Sequence, residues 1–180
     1  MIYIVNGLPS CGKSTFEFIV QHFLGINACR IFSTITPIKT LARDIGWDGE
    51  KDAKSRKFLS DLKDLTTNFN DFSFNWTRNK IKEQYQCAAN MFIPPHKVCI
   101  FVDSREPEDI QKYLDYYPDS KSILVLRPGA EPSTASNHAD DSAQIFSVNY
   151  NITILNDGDL QKLEETAKEF IRNEKLGCED

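Results

Sequence analysis

The sequence predicts an α/β protein: a parallel five-stranded sheet with helices on both faces. Two observations carry this. Short apolar runs alternate with longer amphipathic segments along the chain, the pattern of strands joined by crossover helices. Several of these runs, "IYIV" and "CIFV" above all, are apolar throughout rather than at every second residue, as strands buried on both faces must be.

Taken in order, Ile2 to Val5 reads as a strand and Lys13 to Leu24 as a helix. "CRIFSTI" is a second strand, after which Pro37 opens a short helix ending near Gly46. From Ala53 to about Asn68, the spacing of Phe58, Leu59, Leu62 and Leu65 gathers the apolar groups on one helical face. A further helix is expected from Asn75 to Met91. "KVCIFVD" is a strand ending in an acid, "PEDIQKYLDYY" a helix, "SILVL" and "NITIL" strands, and Leu160 to Arg172 a closing helix. The polar stretch from Pro128 to Gln144 is long for a loop inside a compact domain and reads as a lid. With 180 residues and 41% hydrophobic content, one domain is expected rather than two.

A net charge of −5 argues against a surface that attracts nucleic acid everywhere, while leaving room for a local basic patch. The five cysteines lack C-x-x-C spacing, which points away from a zinc site and a disulfide framework and toward reduced thiols. The opening apolar run is too short for a signal peptide or a membrane span, so a cytoplasmic protein without membrane association is expected.

Between the first strand and the first helix stands "GLPSCGKST", in which Gly7, Gly12, Lys13 and Ser14 fit G-x-x-x-x-G-K-[S/T]. Such a P-loop turns its backbone N–H groups inward and adds the positive end of a helix dipole, a cradle for the phosphates of ATP. Ser10, Cys11 and Thr15 complete the nucleotide-binding stretch, Lys13 serves the β and γ oxygens, and Ser14 is assigned to Mg²⁺. At a helix N-terminus, the Cys11 thiol is expected to favour its thiolate and to be open to alkylation.

Asp103 closes a buried strand, where ligands bind in open α/β sheets. Its carboxylate is read as a Mg²⁺-shell ligand, as a base for an attacking hydroxyl, or as a cap on the next helix. Arg105 clamps a phosphate or pairs with Glu106 or Asp109. Lys51, Lys54, Arg56, Lys57 and Lys63 form a basic cluster, read as a solvated helix face or as phosphate contacts, with the planar fork of Arg56 the best suited. Thr34, Thr36 and Lys39 follow the second strand and line the same acceptor side. His138, Asp140 and Asp141 are sequential polar groups on a loop, read as solvated rather than as a metal site.

The blocks "GLPSCGKST", "STITPIK", "GWDGEKDAKSRKFLSDLKDL", "FVDSREPEDIQKY" and "ILNDGDLQKLEE" together resemble bacteriophage and bacterial P-loop kinases of the deoxynucleoside monophosphate kinase type. The resemblance runs over nearly the whole chain. It implies γ-phosphoryl transfer from ATP with Mg²⁺, a helical acceptor-binding region over about 34–92, and a lid over about 128–144. It also implies that Asn156, in "NDG", passes near the adenine; as residues alone, "NDG" is equally a turn. Two departures stand out. Thr36 occupies a position where an acid is expected, and the lid stretch contains no Lys or Arg, which leaves Lys13, Arg105 and Arg127 to meet the transition-state charge.

Three functions follow as expectations. The first is phosphorylation of a free (deoxy)nucleoside monophosphate. The second is phosphorylation of a hydroxymethylated pyrimidine base in DNA, such as 5-hydroxymethyluracil. The third is a nucleotide-binding module without turnover. A small-molecule acceptor fits the net acidity better than DNA, and the oligomeric state is left open, a homodimer included.

Overall fold

The computed structural model describes residues 1–50, 52–130 and 148–177. Five strands, β1 (Ile2–Gly7), β2 (Cys29–Ser33), β3 (Cys99–Asp103), β4 (Lys121–Leu126) and β5 (Ile152–Leu155), form one parallel sheet in the order β2-β3-β1-β4-β5. Six α-helices are described: α1 (Lys13–Leu24), α2 (Thr36–Asp44), α3 (Ala53–Asn70), α4 (Phe72–Asn90), α5 (Pro107–Tyr116) and α6 (Leu160–Asn173).

Side chains alternate across each strand, so β1 and β3 feed two cores. Tyr3, Val5, Cys99 and Phe101 face α1 and α6, meeting Phe16, Val20, Leu163 and Phe170. Ile2, Ile4, Ile100 and Val102 face the other way, against Ile81 and Ala88 of α4 and Ile110 and Tyr113 of α5. The first core is built on edge-on aromatic contacts, Phe170 lying 5.1 Å from Tyr3 and 5.4 Å from Phe16 between ring centroids. Burial on both faces is the reason these strands carry no polar alternation.

The strand order has a functional consequence. β1 leaves through α1 on one face, and β3, its neighbour, leaves through α5 on the other. The two connections diverge at the carboxyl ends of β1 and β3, opening the crevice where ligands bind in such sheets.

Several boundaries differ from the sequence reading for local reasons. β2 stops at Ser33, because the amide of Thr34 makes its bond to the Asp103 carbonyl at 3.0 Å and Pro37 then starts α2. The expected gap before residue 75 is a single residue: Asp71 adopts φ +54° between α3 and α4. A short polar side chain tolerates that left-handed conformation better than most. α4 is tied to the sheet by Gln84, whose amide donates to the Asn27 carbonyl at 2.6 Å while its oxygen accepts from Arg30 at 3.1 Å. Most of the expected lid, with His138, Asp140 and Asp141, lies outside the described residues, as do Lys51 and Cys178. No helix among the described residues is long and apolar enough to cross a membrane.

Candidate active site

The loop from Leu8 to Gly12 joins the central strand to α1 and sits at the mouth of the crevice. The two glycines that bound it, Gly7 at the end of β1 and Gly12 before α1, are dictated by close approach. A Cβ on Gly7 would lie 2.6 Å from the Val125 carbonyl oxygen and 2.6 Å from the Cys11 sulfur. Gly12 has φ +92°, and a Cβ there would lie 2.3 Å from the side-chain amide of Asn156. The loop is thus closed down on its own sheet, as tightly as only glycine permits.

Two asparagines hold it there. Buried Asn6 accepts from the Gly7 amide at 2.7 Å and donates to the Tyr150 hydroxyl at 2.8 Å. Buried Asn156, just past β5, donates to the Cys11 carbonyl at 2.9 Å. The resemblance implies that Asn156 passes near the adenine; in the structure its side chain braces the Leu8–Gly12 loop.

Gly12 is the N-cap of α1, and no side chain caps the helix. The first amides of α1 therefore have no intrahelical acceptor and present the positive end of the dipole to the crevice. Ser14 and Thr15 are exposed in this first turn, and Ser10, at φ +62°, is exposed at the loop apex. Such an end suits an anion.

Opposite, at the end of β3, Asp103 receives the Lys13 ammonium at 2.6 Å, both side chains being largely shielded at 13% and 17% exposure. Beneath them lies Glu17, fully buried one turn along α1 from Lys13. Burial pushes the Glu17 carboxyl well above the usual range, the Asp103 charge pushes it further, and Lys13 opposes. Neither Glu17 oxygen has a hydrogen-bond partner among the described residues. Sequence reasoning missed Glu17. The signal was its i, i+4 spacing from Lys13, which puts both on one helical face.

Cys11 corrects an expectation. Its thiol is 1% exposed, and burial raises its pKa against the smaller lowering by Lys13 and the backbone. Packed between the loop and the sheet, it belongs to the core rather than to the phosphate face.

Of the residues expected on the acceptor side, Thr34 is buried at the end of β2, Thr36 is exposed at the start of α2, and Lys39 is half-buried on α2. Arg56 is half-buried in the first turn of α3. Lys63 departs from the expected phosphate contact: it is buried, and its ammonium pairs with Asp109 at 2.7 Å and with Glu106. Lys57 pairs with Asp61 one turn along the exposed face of α3. Arg105 is exposed just past Asp103, its carbonyl accepting from Asn6 at 3.3 Å, and Arg127 is exposed just past β4. Among the described residues, no cluster of three His, Cys, Asp or Glu side chains is placed to hold a metal ion by itself.

No protein-family model matches the chain, and no curated protein matches it. Its backbone is similar to that of an unliganded sugar kinase from Janibacter sp. HTCC2649, with a TM-score of 0.48 and 12% identity over 99% of this chain and 98% of that one. It is also similar to TT1252 from Thermus thermophilus, with a TM-score of 0.45 and 13% identity over 96% of this chain and 97% of that one. Likeness at this level says nothing of activity. What the chain itself supplies is a parallel α/β sheet of P-loop type, with a glycine-closed loop, an uncapped helix N-terminus and a Lys13–Asp103 pair at its switch point.

Proposed function

We propose that the protein is an ATP-dependent phosphotransferase that moves the γ-phosphoryl group to a (deoxy)nucleoside monophosphate. The observation that carries this reading is the Lys13–Asp103 pair, which joins the uncapped start of α1 to the carboxyl end of β3. Anion-binding amides, a mobile cation and a strand-end carboxylate are together the parts that phosphoryl transfer requires.

The residues present fit ATP and Mg²⁺. The loop amides and those of Lys13 to Thr15 would hold the β-phosphate, and the Lys13 ammonium would exchange Asp103 for phosphate oxygens. The Ser14 hydroxyl and the Asp103 carboxylate would hold Mg²⁺, which when bound neutralises charge on the transferring group. Burial and the Asp103 charge raise the Glu17 pKa, which favours its neutral form beneath the pair. Thr34, Thr36, Lys39 and Arg56 face the acceptor, and Arg105 and Arg127 stand at the rim for the charge that develops during transfer. Lys63, engaged with Asp109 and Glu106, ties the acceptor-side helices to α5.

A second reading draws on the same carboxylate. Asp103 reaches the crevice at the end of β3 and can accept a proton, which a hydroxyl acceptor needs and an ionised phosphate does not. The acceptor is then the hydroxymethyl group of a modified pyrimidine in DNA. Incubation with γ-labelled ATP and Mg²⁺, against deoxynucleoside monophosphates, plain oligonucleotides and hydroxymethylated DNA, decides between them. Label in a nucleoside diphosphate supports the first reading. Label in modified DNA moves the assignment to the second, and ATP binding without transfer to any acceptor overturns both in favour of a non-catalytic nucleotide-binding module.

A further inference from the structure

One side chain at the carboxyl end of β1 reaches three other parts of the crevice. Asn6 is fully buried. Its Oδ1 accepts from the Gly7 amide at 2.7 Å, where the chain leaves β1 for the Leu8–Gly12 loop. Its Nδ2 donates to the Arg105 carbonyl at 3.3 Å and to the Tyr150 hydroxyl at 2.8 Å. The partners fix which way the amide points. A backbone N–H can only donate and a carbonyl can only accept, so the oxygen must face Gly7 and the nitrogen must face Arg105.

These bonds extend the sheet past the end of its backbone ladder. Val5 is the register partner of Asp103, and the Ser104 amide donates to the Val5 carbonyl at 3.1 Å. One residue further on, the Asn6 side chain takes over and holds the Arg105 carbonyl. On the other side, the Thr34 amide donates to the Asp103 carbonyl at 3.0 Å. The turn that carries Asp103 and Arg105 is therefore pinned from both neighbouring strands. Being fully buried, Asn6 touches no ligand in the crevice; it acts through the groups that it holds.

We propose that Asn6 is a positioning residue that fixes the Asp103–Arg105 turn against the phosphate-binding loop, with Tyr150 completing the hold from the segment that leads into β5. The assignment rests on the phosphotransferase reading above and deepens it. Lys13 and the loop amides belong to one segment of the chain, Asp103 and Arg105 to another, and phosphoryl transfer needs all of them at set distances from one phosphate. Asn6 is the side chain bonded to both segments.

Two measurements on the full chain test it, one of which needs no turnover. The variants are Asn6→Leu, which fills the same space without the amide, Asn6→Ala, and Tyr150→Phe, which keeps the ring and removes one bond. Amide hydrogen exchange is followed with and without Mg²⁺ and a non-hydrolysable ATP analogue. In wild type the nucleotide should slow exchange in the loop, residues 8–14, and in the turn, residues 103–106. In the Asn6 variants the slowing should persist in the loop and vanish in the turn, and in Tyr150→Phe it should weaken there. Transfer of label from γ-labelled ATP to deoxynucleoside monophosphates and to hydroxymethylated DNA is the second measurement. Asn6→Leu should lower kcat by roughly ten- to hundredfold, the scale of a misplaced reacting group, with the KM for ATP changing about threefold or less. In an Arg105→Ala background the same replacement should lose most of its effect, because the group that it misplaces is gone. Additive losses in that cycle, or turn protection unchanged in Tyr150→Phe and in whichever Asn6 variants fold, overturn the proposal. Coupled protection in a wild type that transfers no label sinks the phosphotransferase reading alone. Transfer with loop and turn responding independently sinks the Asn6 assignment alone, and a wild type whose exchange ignores the nucleotide sinks both.

Discussion

The Lys13 ammonium and the Asp103 carboxylate meet at 2.6 Å across the junction of α1 and β3, joining residues ninety positions apart. The pair closes the crevice floor and is shielded from solvent, so each partner neutralises the other at a place where an unpaired charge is costly. Lys13→Ala is expected to abolish phosphoryl transfer and to destabilise the fold by about 1–3 kcal/mol, since it leaves the Asp103 carboxylate without its cation. Asp103→Asn separates the two roles of that side chain. With a hydroxyl acceptor it lowers kcat by roughly 10²–10⁴-fold. With a phosphate acceptor the loss is partly restored by raising Mg²⁺. Steady-state kinetics with urea unfolding measure both, and unimpaired transfer by Lys13→Ala would remove the site from consideration.

Glu17 gives stability a pH dependence of defined sign. The folded protein keeps its proton to higher pH than the unfolded chain does, because burial and the Asp103 charge raise its pKa. Between the ordinary glutamate value and the raised one, the folded state binds the extra proton, and stability falls as pH rises through that window. The slope is up to about 1.4 kcal/mol per pH unit for one proton. Glu17→Gln should flatten this slope and raise stability at neutral pH. Urea unfolding of both proteins at several pH values checks it, and parallel profiles would contradict the buried, protonated state.

Gly12→Ala should be much worse than Gly25→Ala. Both glycines have positive φ, +92° and +80°, so each substitution meets the left-handed penalty of about 1–2 kcal/mol. Only at Gly12 does the new Cβ also strike a neighbour, the Asn156 amide that holds the loop. Loss of ATP binding in Gly12→Ala, against near-normal binding in Gly25→Ala, is the expected pattern in a nucleotide titration.

Native Cys11 should resist alkylation. The thiol is buried and its pKa raised, whereas Cys87 is only partly covered. Peptide-resolved mass spectrometry after brief iodoacetamide treatment should find Cys87 modified before Cys11, and Cys11 modified at the rate of loop opening. Rapid Cys11 labelling suppressed by ATP and Mg²⁺ would reinstate an exposed thiolate.

Arg56 and Lys63 should separate binding from architecture. Arg56→Ala is expected to raise the acceptor KM with little change in stability. Lys63→Met leaves the partly exposed Glu106 and Asp109 without their common cation, a loss of about 1–3 kcal/mol. The comparison of KM and urea midpoint for the two variants, with Lys54→Ala as an exposed control, tests the assignment. Equal KM effects from Arg56 and Lys54 with a steep salt dependence would favour a DNA acceptor.

What the sequence determined by itself is what local chemistry controls. Apolar runs named all five strands, and 3.6-residue periodicity named the six described helices to within a few residues at their ends. The glycine, lysine and serine spacing of the loop was legible because a tight strand-to-helix turn confines it to nine residues. The tertiary structure decided everything that depends on which surfaces meet. Asn156 became a brace because β5 returns beside a loop 145 residues earlier in the chain. Lys63 was drawn inward by the carboxylates of Glu106 and Asp109 at the start of α5, and Cys11 was buried because its sulfur packs against Gly7 at the end of β1. Asn6 and Glu17 look like ordinary strand and helix residues in the sequence. Burial is a property of the packed assembly, and a polar group is conspicuous only once water has been removed from around it.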